Sequence, residues 1–193
     1  MLNNNLLGDT RMEETYNEDL GKKNLNIKLF PFYKMISWDL LFYYAIIFLY
    51  LVQVKNISAP QVLLADAIYN IAIMIWIIPS GKIVDKIGKR NSVIIANSCV
   101  SIAIVIMLVM NEFWHLIIAF SVMAFGYSIK AIAENIILYD SIPSGPKKGK
   151  IFSSIDGKAS SYYYYIDAIS SILTGFLYVV NPYIPLILCL LSC

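Results

Sequence analysis

Between two long apolar runs, the chain reads GKIVDKIGKR from Gly81 to Arg90. Two helices must reverse direction within this stretch, and Gly81 and Gly88 supply the backbone freedom that a tight turn needs. Asp85 precedes the later run, where the helix dipole favours a carboxylate and where it can pair with Lys89 or Arg90. The stretch is therefore predicted to be a basic hairpin that joins two membrane-crossing helices.

The composition supports a membrane protein. The 193 residues are 59% hydrophobic and 15% charged, and their mean hydropathy is +0.66. Soluble domains carry about a quarter charged residues, and a chain of this size cannot bury so much apolar surface in its own core. The lipid bilayer is therefore the predicted solvent and partner. The net charge of +2 excludes a nucleic-acid binder that relies on bulk charge.

Long apolar runs fill the chain after residue 34. A helix needs about 20 residues to cross a bilayer core, and five runs reach this length, whereas a sixth begins at Pro182 and stops at Cys193. The five runs cover residues 35–54, 60–79, 91–110, 113–138 and 160–180. They are continuously apolar and do not alternate, which argues against a β-barrel. The predicted fold is an all-α membrane protein with five full transmembrane helices and a truncated sixth.

The distribution of basic residues predicts the orientation. Residues 1–34 form a polar tail with an aromatic elbow at its end, and residues 35–193 form the membrane bundle. The tail and the two long loops carry thirteen Lys and Arg residues, whereas the other face has Lys55 alone. The positive-inside rule then places the N-terminus in the cytoplasm of a multi-pass protein of the cell membrane.

The basic hairpin also carries a resemblance to a known family. Its pattern and its place between the second and third membrane helices resemble the signature loop of the major facilitator superfamily, through Gly81, Asp85, Lys86, Gly88, Lys89 and Arg90. The segment from Glu134 to Asp140 is similar to the corresponding stretch of bacterial members. The resemblance covers residues 30–193 and implies the N-terminal six-helix bundle of a secondary transporter. It further implies that Asp85 contacts the opposite bundle during alternating access.

The implied function is transport of a small solute, with coupling to protons or another ion as one option. A missing C-terminal bundle or a second copy of the chain is expected to complete the pathway, and the chain is not expected to transport alone. Two alternatives stay open. The chain is a small membrane protein that assembles with itself as a half-transporter, or it is an assembly protein or remnant without transport activity.

Polar residues inside the apolar runs are the candidate cavity or coupling residues. A charge at the bilayer centre costs about 2.5–3.5 kcal/mol on insertion scales, so such residues face protein or water. The candidates are Lys130, Glu134, Asp167, Tyr127, Tyr163 and Asp66. Lys130 and Glu134 are four residues apart, on the stripe that holds Tyr127, and form either a substrate or proton site or a self-neutralised pair. Asp167 and Tyr163 line a cavity or pack helices together, and Asp66 binds a ligand or faces the outer water.

No pattern typical of an enzyme is present in the sequence. The chain lacks the GxSxG, HExxH and P-loop motifs, and its one histidine removes most general-base schemes. The three cysteines have no CxxC spacing, so neither a metal site nor a cofactor is predicted.

Overall fold

The computed structural model describes residues 21–37 and 39–192, and these residues form helices and turns without a strand. The predictions for the first part of the polar tail lie outside the described residues. Helix α1 covers residues 21–37, and a short helix α2, Ile47–Leu49, continues as a π-helical segment, Tyr50–Val54. The others are α3 (Ala59–Ile87), α4 (Lys89–Val109), α5 (Phe113–Ser141), α6 (Lys148–Val180) and α7 (Ile184–Ser192).

Four helices, α3 to α6, are long and apolar enough to cross a membrane in the part of the chain that the structure describes. The prediction of a fifth full helix, over the first apolar run, is therefore not confirmed. The first apolar run is not a single helix, because the chain turns between α1 and α2, with Phe42 at a positive φ of 66°. Irregular backbone is tolerated at membrane depth only where protein covers it, and Leu40, Leu41 and Tyr43 are all buried. Helix α7 has nine residues, as expected for a short sixth helix.

Helix α5 is the centre of the packing. It makes its largest contacts with α4 and α3. In its most apolar 18-residue segment, 56% of the residues are buried, against 11% in the corresponding segment of α3 and 17% in that of α6. A Cβ atom built on Gly126 of α5 would lie 2.9 Å from the carbonyl oxygen of Ala96 on α4. The missing side chain therefore lets these two helices approach closely. The apolar faces of α3 and α6 are left largely uncovered within the described chain.

The basic hairpin is tighter than the sequence predicts. Gly88 is the single residue between α3 and α4, and its φ of 91° is a conformation that L side chains rarely adopt. Its N–H donates to the carbonyl of Val84, and its carbonyl accepts from the N–H of Ser92. Gly81 and Asp85 both lie inside α3, so the expectations that Gly81 forms the turn and that Asp85 precedes the next helix are wrong. A carboxylate in the last turn of a helix is opposed by the helix dipole.

Gly88→Ala is expected to destabilise the chain by about 1–3 kcal/mol, because alanine must adopt a strained backbone conformation at this turn. Gly81→Ala is the matched control, since Gly81 is helical and has open space around it. Its stability should hold or rise by up to about 1 kcal/mol. The free energy of unfolding from SDS titration of the purified chain measures both changes. Equal effects of the two variants would contradict a special role for Gly88.

Candidate functional site

Three side chains on one face of α5 contact α1 and the broken first run. We call them the polar ladder: Tyr127, Lys130 and Glu134, which are spaced three and four residues apart and therefore share a face. The Tyr127 hydroxyl donates to Asp39 Oδ1 at 2.5 Å, and Lys130 Nζ donates to the carbonyl oxygen of Ser37. The ladder thus reaches the place where the regular backbone of the first run ends.

The lower part of the ladder is a buried charge pair. Lys130 and Glu134 are 6% and 4% exposed, and Nζ lies 4.0 Å from the nearer carboxylate oxygen, as the sequence predicts. Glu134 also accepts a hydrogen bond of 2.6 Å from the Tyr33 hydroxyl on α1. The Lys130 ammonium group lies against a main-chain carbonyl at the C-terminal end of α1, where the helix dipole favours a positive charge. The pair therefore joins α5 to α1 and is more than a self-neutralised contact within one helix.

Asp39 is the acceptor at the top of the ladder. One of its oxygens, Oδ1, accepts from the hydroxyls of Tyr127 and Tyr44 and from the N–H of Leu40 at 2.8 Å. The sequence offers Asp39 as an acid inside an apolar run, but its role depends on Tyr127, which is 88 residues away. Asp39, Tyr33 and Ser37 are the residues of the site that the candidate list of the sequence analysis does not include.

Helix α1 also links α5 to α6. Lys34 is buried and forms an ion pair of 2.6 Å with Asp156 on α6, and Asn26 donates to the Ser141 hydroxyl on α5 at 3.2 Å. Direct contacts between α5 and α6 are few. The described part of the tail is therefore a structural element that holds two membrane helices together at their basic ends.

Two cavities are lined by candidate residues. A cavity of about 390 Å³ opens at the basic end, between α1, α4 and α5, and its walls include Tyr33, Arg90 and Glu134. The second, which we call the aromatic cavity, has about 200 Å³ and lies between α2, α3 and α5. Its walls include Tyr43, Tyr44, Phe48, Asp66, Tyr69 and Phe120. Glu134 and Asp66 thus each lie in the wall of one of these cavities.

Asp167 and Tyr163 lie four residues apart on α6 and therefore share a face of this helix. Tyr163 is buried, whereas Asp167 is partly exposed. The Ser170 hydroxyl donates to the main-chain carbonyl of Asp167 at 2.9 Å, not to its side chain. Asp167 has no ion pair among residues 21–37 and 39–192, so a structural role as one half of a charge pair is not supported.

The charged residues of the signature loop point to solvent. Asp85, Lys86, Lys89 and Arg90 are exposed, and Lys89 forms its ion pair with Asp140 at the end of α5. The expected pairing of Asp85 with Lys89 or Arg90 is therefore not found in the described chain. The physical reason is that Asp85 lies on the last turn of α3, while Gly88 turns the following bases onto α4.

At the end of the bundle opposite to the basic end, Lys55 links the first run to α4. Its Nζ donates to the carbonyl of Leu108 at 2.7 Å, and burial lowers the pKa of this lysine. The one basic residue that the sequence places on this face is thus a structural contact. In the described residues, no group of three or more His, Cys, Asp or Glu side chains lies close enough to hold a metal ion.

A comparison with protein families identifies the chain. The family model described as Major Facilitator Superfamily matches residues 32–192. The chain belongs to the major facilitator superfamily. The resemblance drawn from the signature loop is therefore confirmed, and members of this superfamily are transporters and not enzymes. No curated protein and no solved structure matches this superfamily member.

Lys130→Met should destabilise the protein by about 3–5 kcal/mol, because it leaves Glu134 as a buried charge without its cation. Adding Glu134→Gln should recover part of this loss, since the glutamine still accepts from Tyr33. The free energy of unfolding of both single variants and the double variant, from SDS titration, gives the coupling between the two sites.

Lys89→Met is the matched control for this cycle. It also removes a lysine from an ion pair, but both partners are about half exposed, and such pairs contribute about 0–1 kcal/mol. Additive losses in the Lys130 and Glu134 cycle would contradict a functional pairing of these residues.

Proposed function

We propose that this chain moves a small solute across the cell membrane by alternating access, as the N-terminal bundle of a secondary transporter. The observation that carries the proposal is the polar ladder and its contact with the broken first run. Buried ionisable groups at membrane depth typically mark substrate or ion pathways. Interrupted helices at that depth typically line the binding sites of transporters.

Glu134 is the candidate coupling group. Its carboxylate lies in the wall of the cavity at the basic end, so a proton can reach it from that side. Protonation removes the charge that Lys130 faces at 4.0 Å and weakens the link from α5 to α1. In this proposal the protonation state of Glu134 sets how firmly the first run is held against α5.

A second bundle is the proposed partner. Asp66 and Asn70 lie in the first half of α3, away from the basic end, and both are exposed within this chain. Asp167 on α6 is partly exposed as well. Charged side chains at this depth are costly in contact with lipid, so these faces of α3 and α6 need a protein or water covering. A C-terminal six-helix bundle, or a second copy acting as the other half, supplies it.

Reconstitution of the purified chain tests whether two copies of it form a transporter. The purified chain alone, in liposomes, is expected to drive no solute uptake. Uptake by the chain alone would favour the self-assembling half-transporter over a partner bundle of different sequence.

The proposed orientation places the basic end and the N-terminus in the cytoplasm, because the basic residues are concentrated there. In a background without native cysteines, Lys147→Cys should resist a membrane-impermeant maleimide added to intact cells. Asn111→Cys, on the opposite face, should react with it. Both positions are exposed, so poor access within the protein does not explain a difference. The reverse labelling pattern would overturn the orientation.

In the complete system, with the partner bundle present, Asp85→Asn is expected to lower transport at least fivefold without changing the amount of protein in the membrane. The carboxylate is exposed and has no ion pair in the described chain, so its charge is free to stabilise one arrangement of the two bundles over another. The measurement is solute-driven proton movement in membrane vesicles, recorded with a pH-sensitive dye over a panel of small solutes. Glu112→Gln, which removes an exposed carboxylate at the opposite end, is the control. Transport at the parent rate would leave Asp85 as a structural residue only.

A further inference from the structure

The aromatic cavity has the construction of a cation-binding cage. Tyr43 and Tyr44 form an edge-to-face pair with ring centroids 5.3 Å apart. Tyr69 and Phe120 form a second pair at 5.7 Å. All four rings and the carboxylate-bearing residue Asp66 line the same space of about 200 Å³. Aromatic rings attract a cation placed over their faces, and the attraction grows as water is excluded.

Two of the three tyrosine hydroxyl groups in the wall of this cavity donate to protein acceptors. The Tyr43 hydroxyl donates to the Met107 sulfur at 3.6 Å, and the Tyr44 hydroxyl donates to Asp39 at 3.1 Å. An inorganic cation such as Ca²⁺ needs six or more oxygen ligands. What these residues offer to the cavity is mainly ring surface, which suits a cation with an apolar shell.

Asp66 is the acidic residue in the wall of the aromatic cavity, and it has no counter-ion among the described residues. Its carboxylate takes part in no ion pair among the described residues and accepts one long hydrogen bond of 3.4 Å from Asn70. Asp39 adds a second negative charge at the hydroxyl group of Tyr44. The cavity is thus lined by aromatic rings and has an uncompensated negative charge in its wall.

We propose that the aromatic cavity binds the head group of a quaternary ammonium compound, held between the two ring pairs and against Asp66. The proposal rests on the proposed transport function and names its substrate class. Pockets for drug-sized ligands measure about 300–1,000 Å³, so this smaller space takes a compact head group. The remainder of the ligand leaves through the open side, toward the exposed Leu63.

The first test is equilibrium binding with choline as the probe. The full purified chain, in lipid nanodiscs, is expected to bind radiolabelled choline, and tetramethylammonium should displace it. The neutral isostere 3,3-dimethylbutan-1-ol has the same shape without the charge and should compete at least tenfold more weakly. Absence of choline binding, or equal competition by the neutral isostere, would overturn the proposal.

Variants then assign the binding to this cavity. Asp66→Asn and Tyr69→Leu should each weaken choline binding at least fivefold, whereas Tyr69→Phe keeps the ring and should bind like the parent. Glu112→Gln, an exposed carboxylate outside the cavity, is the control for a general loss of negative charge. The thermal unfolding temperature of each variant checks its fold, and Tyr69→Leu decides the case if Asp66→Asn is poorly folded. Parent-like binding by both Asp66→Asn and Tyr69→Leu would place the choline elsewhere.

The same protein separates the two proposals. One possible result is that choline binds and that Asp66→Asn and Tyr69→Leu weaken its binding, while the complete system, with the partner bundle present, shows no solute-driven proton movement and no uptake. This result supports the cation site and counts against the transport function. Proton movement driven by neutral or anionic solutes, without choline binding, supports transport and overturns the quaternary ammonium site.

Discussion

The structure depends on satisfying the backbone where the first apolar run is interrupted. A carbonyl or N–H that loses its helical partner at membrane depth has no water to replace it, and each such group costs several kcal/mol. Lys130 donates to the Ser37 carbonyl, and Asp39 accepts from the Leu40 N–H. One side chain from α5 and one from the run itself thus stabilise an irregular segment that lipid alone would not tolerate.

The polar ladder connects α5 to its neighbours through direct contacts. Lys130 contacts both the Ser37 carbonyl at the end of α1 and Glu134, so its loss affects both places. Helix α1 is joined in turn to α6 by the ion pair of Lys34 and Asp156. Each of these links is a direct hydrogen bond or ion pair between neighbouring helices.

The sequence predicts the helices that are governed by hydropathy and predicts the interrupted one incorrectly. Residues 60–180 contain four apolar runs, and each of them coincides with one helix, α3 to α6, or with part of it, because in lipid a long apolar segment has only the helix available. The first run is just as apolar, but its conformation depends on Asp39 and on Tyr127, far along the chain. The pair of Lys130 and Glu134 follows from helical spacing alone, whereas Tyr33 as the second partner of Glu134 depends on how α1 packs.

The single residue between α3 and α4 has a mechanical consequence. With Gly88 as the only link, the basic ends of these two helices are held at a fixed separation, and neither helix can slide along the other. Their relative motion is limited to a change of angle about this pivot. Such a rotation produces almost no displacement at Gly88 and the largest displacement at the far ends. The residues that α3 contributes to the aromatic cavity, among them Asp66 and Tyr69, lie toward that far end. A small change of angle would therefore move Tyr69 relative to Phe120 on α5 and to the rings of the first run.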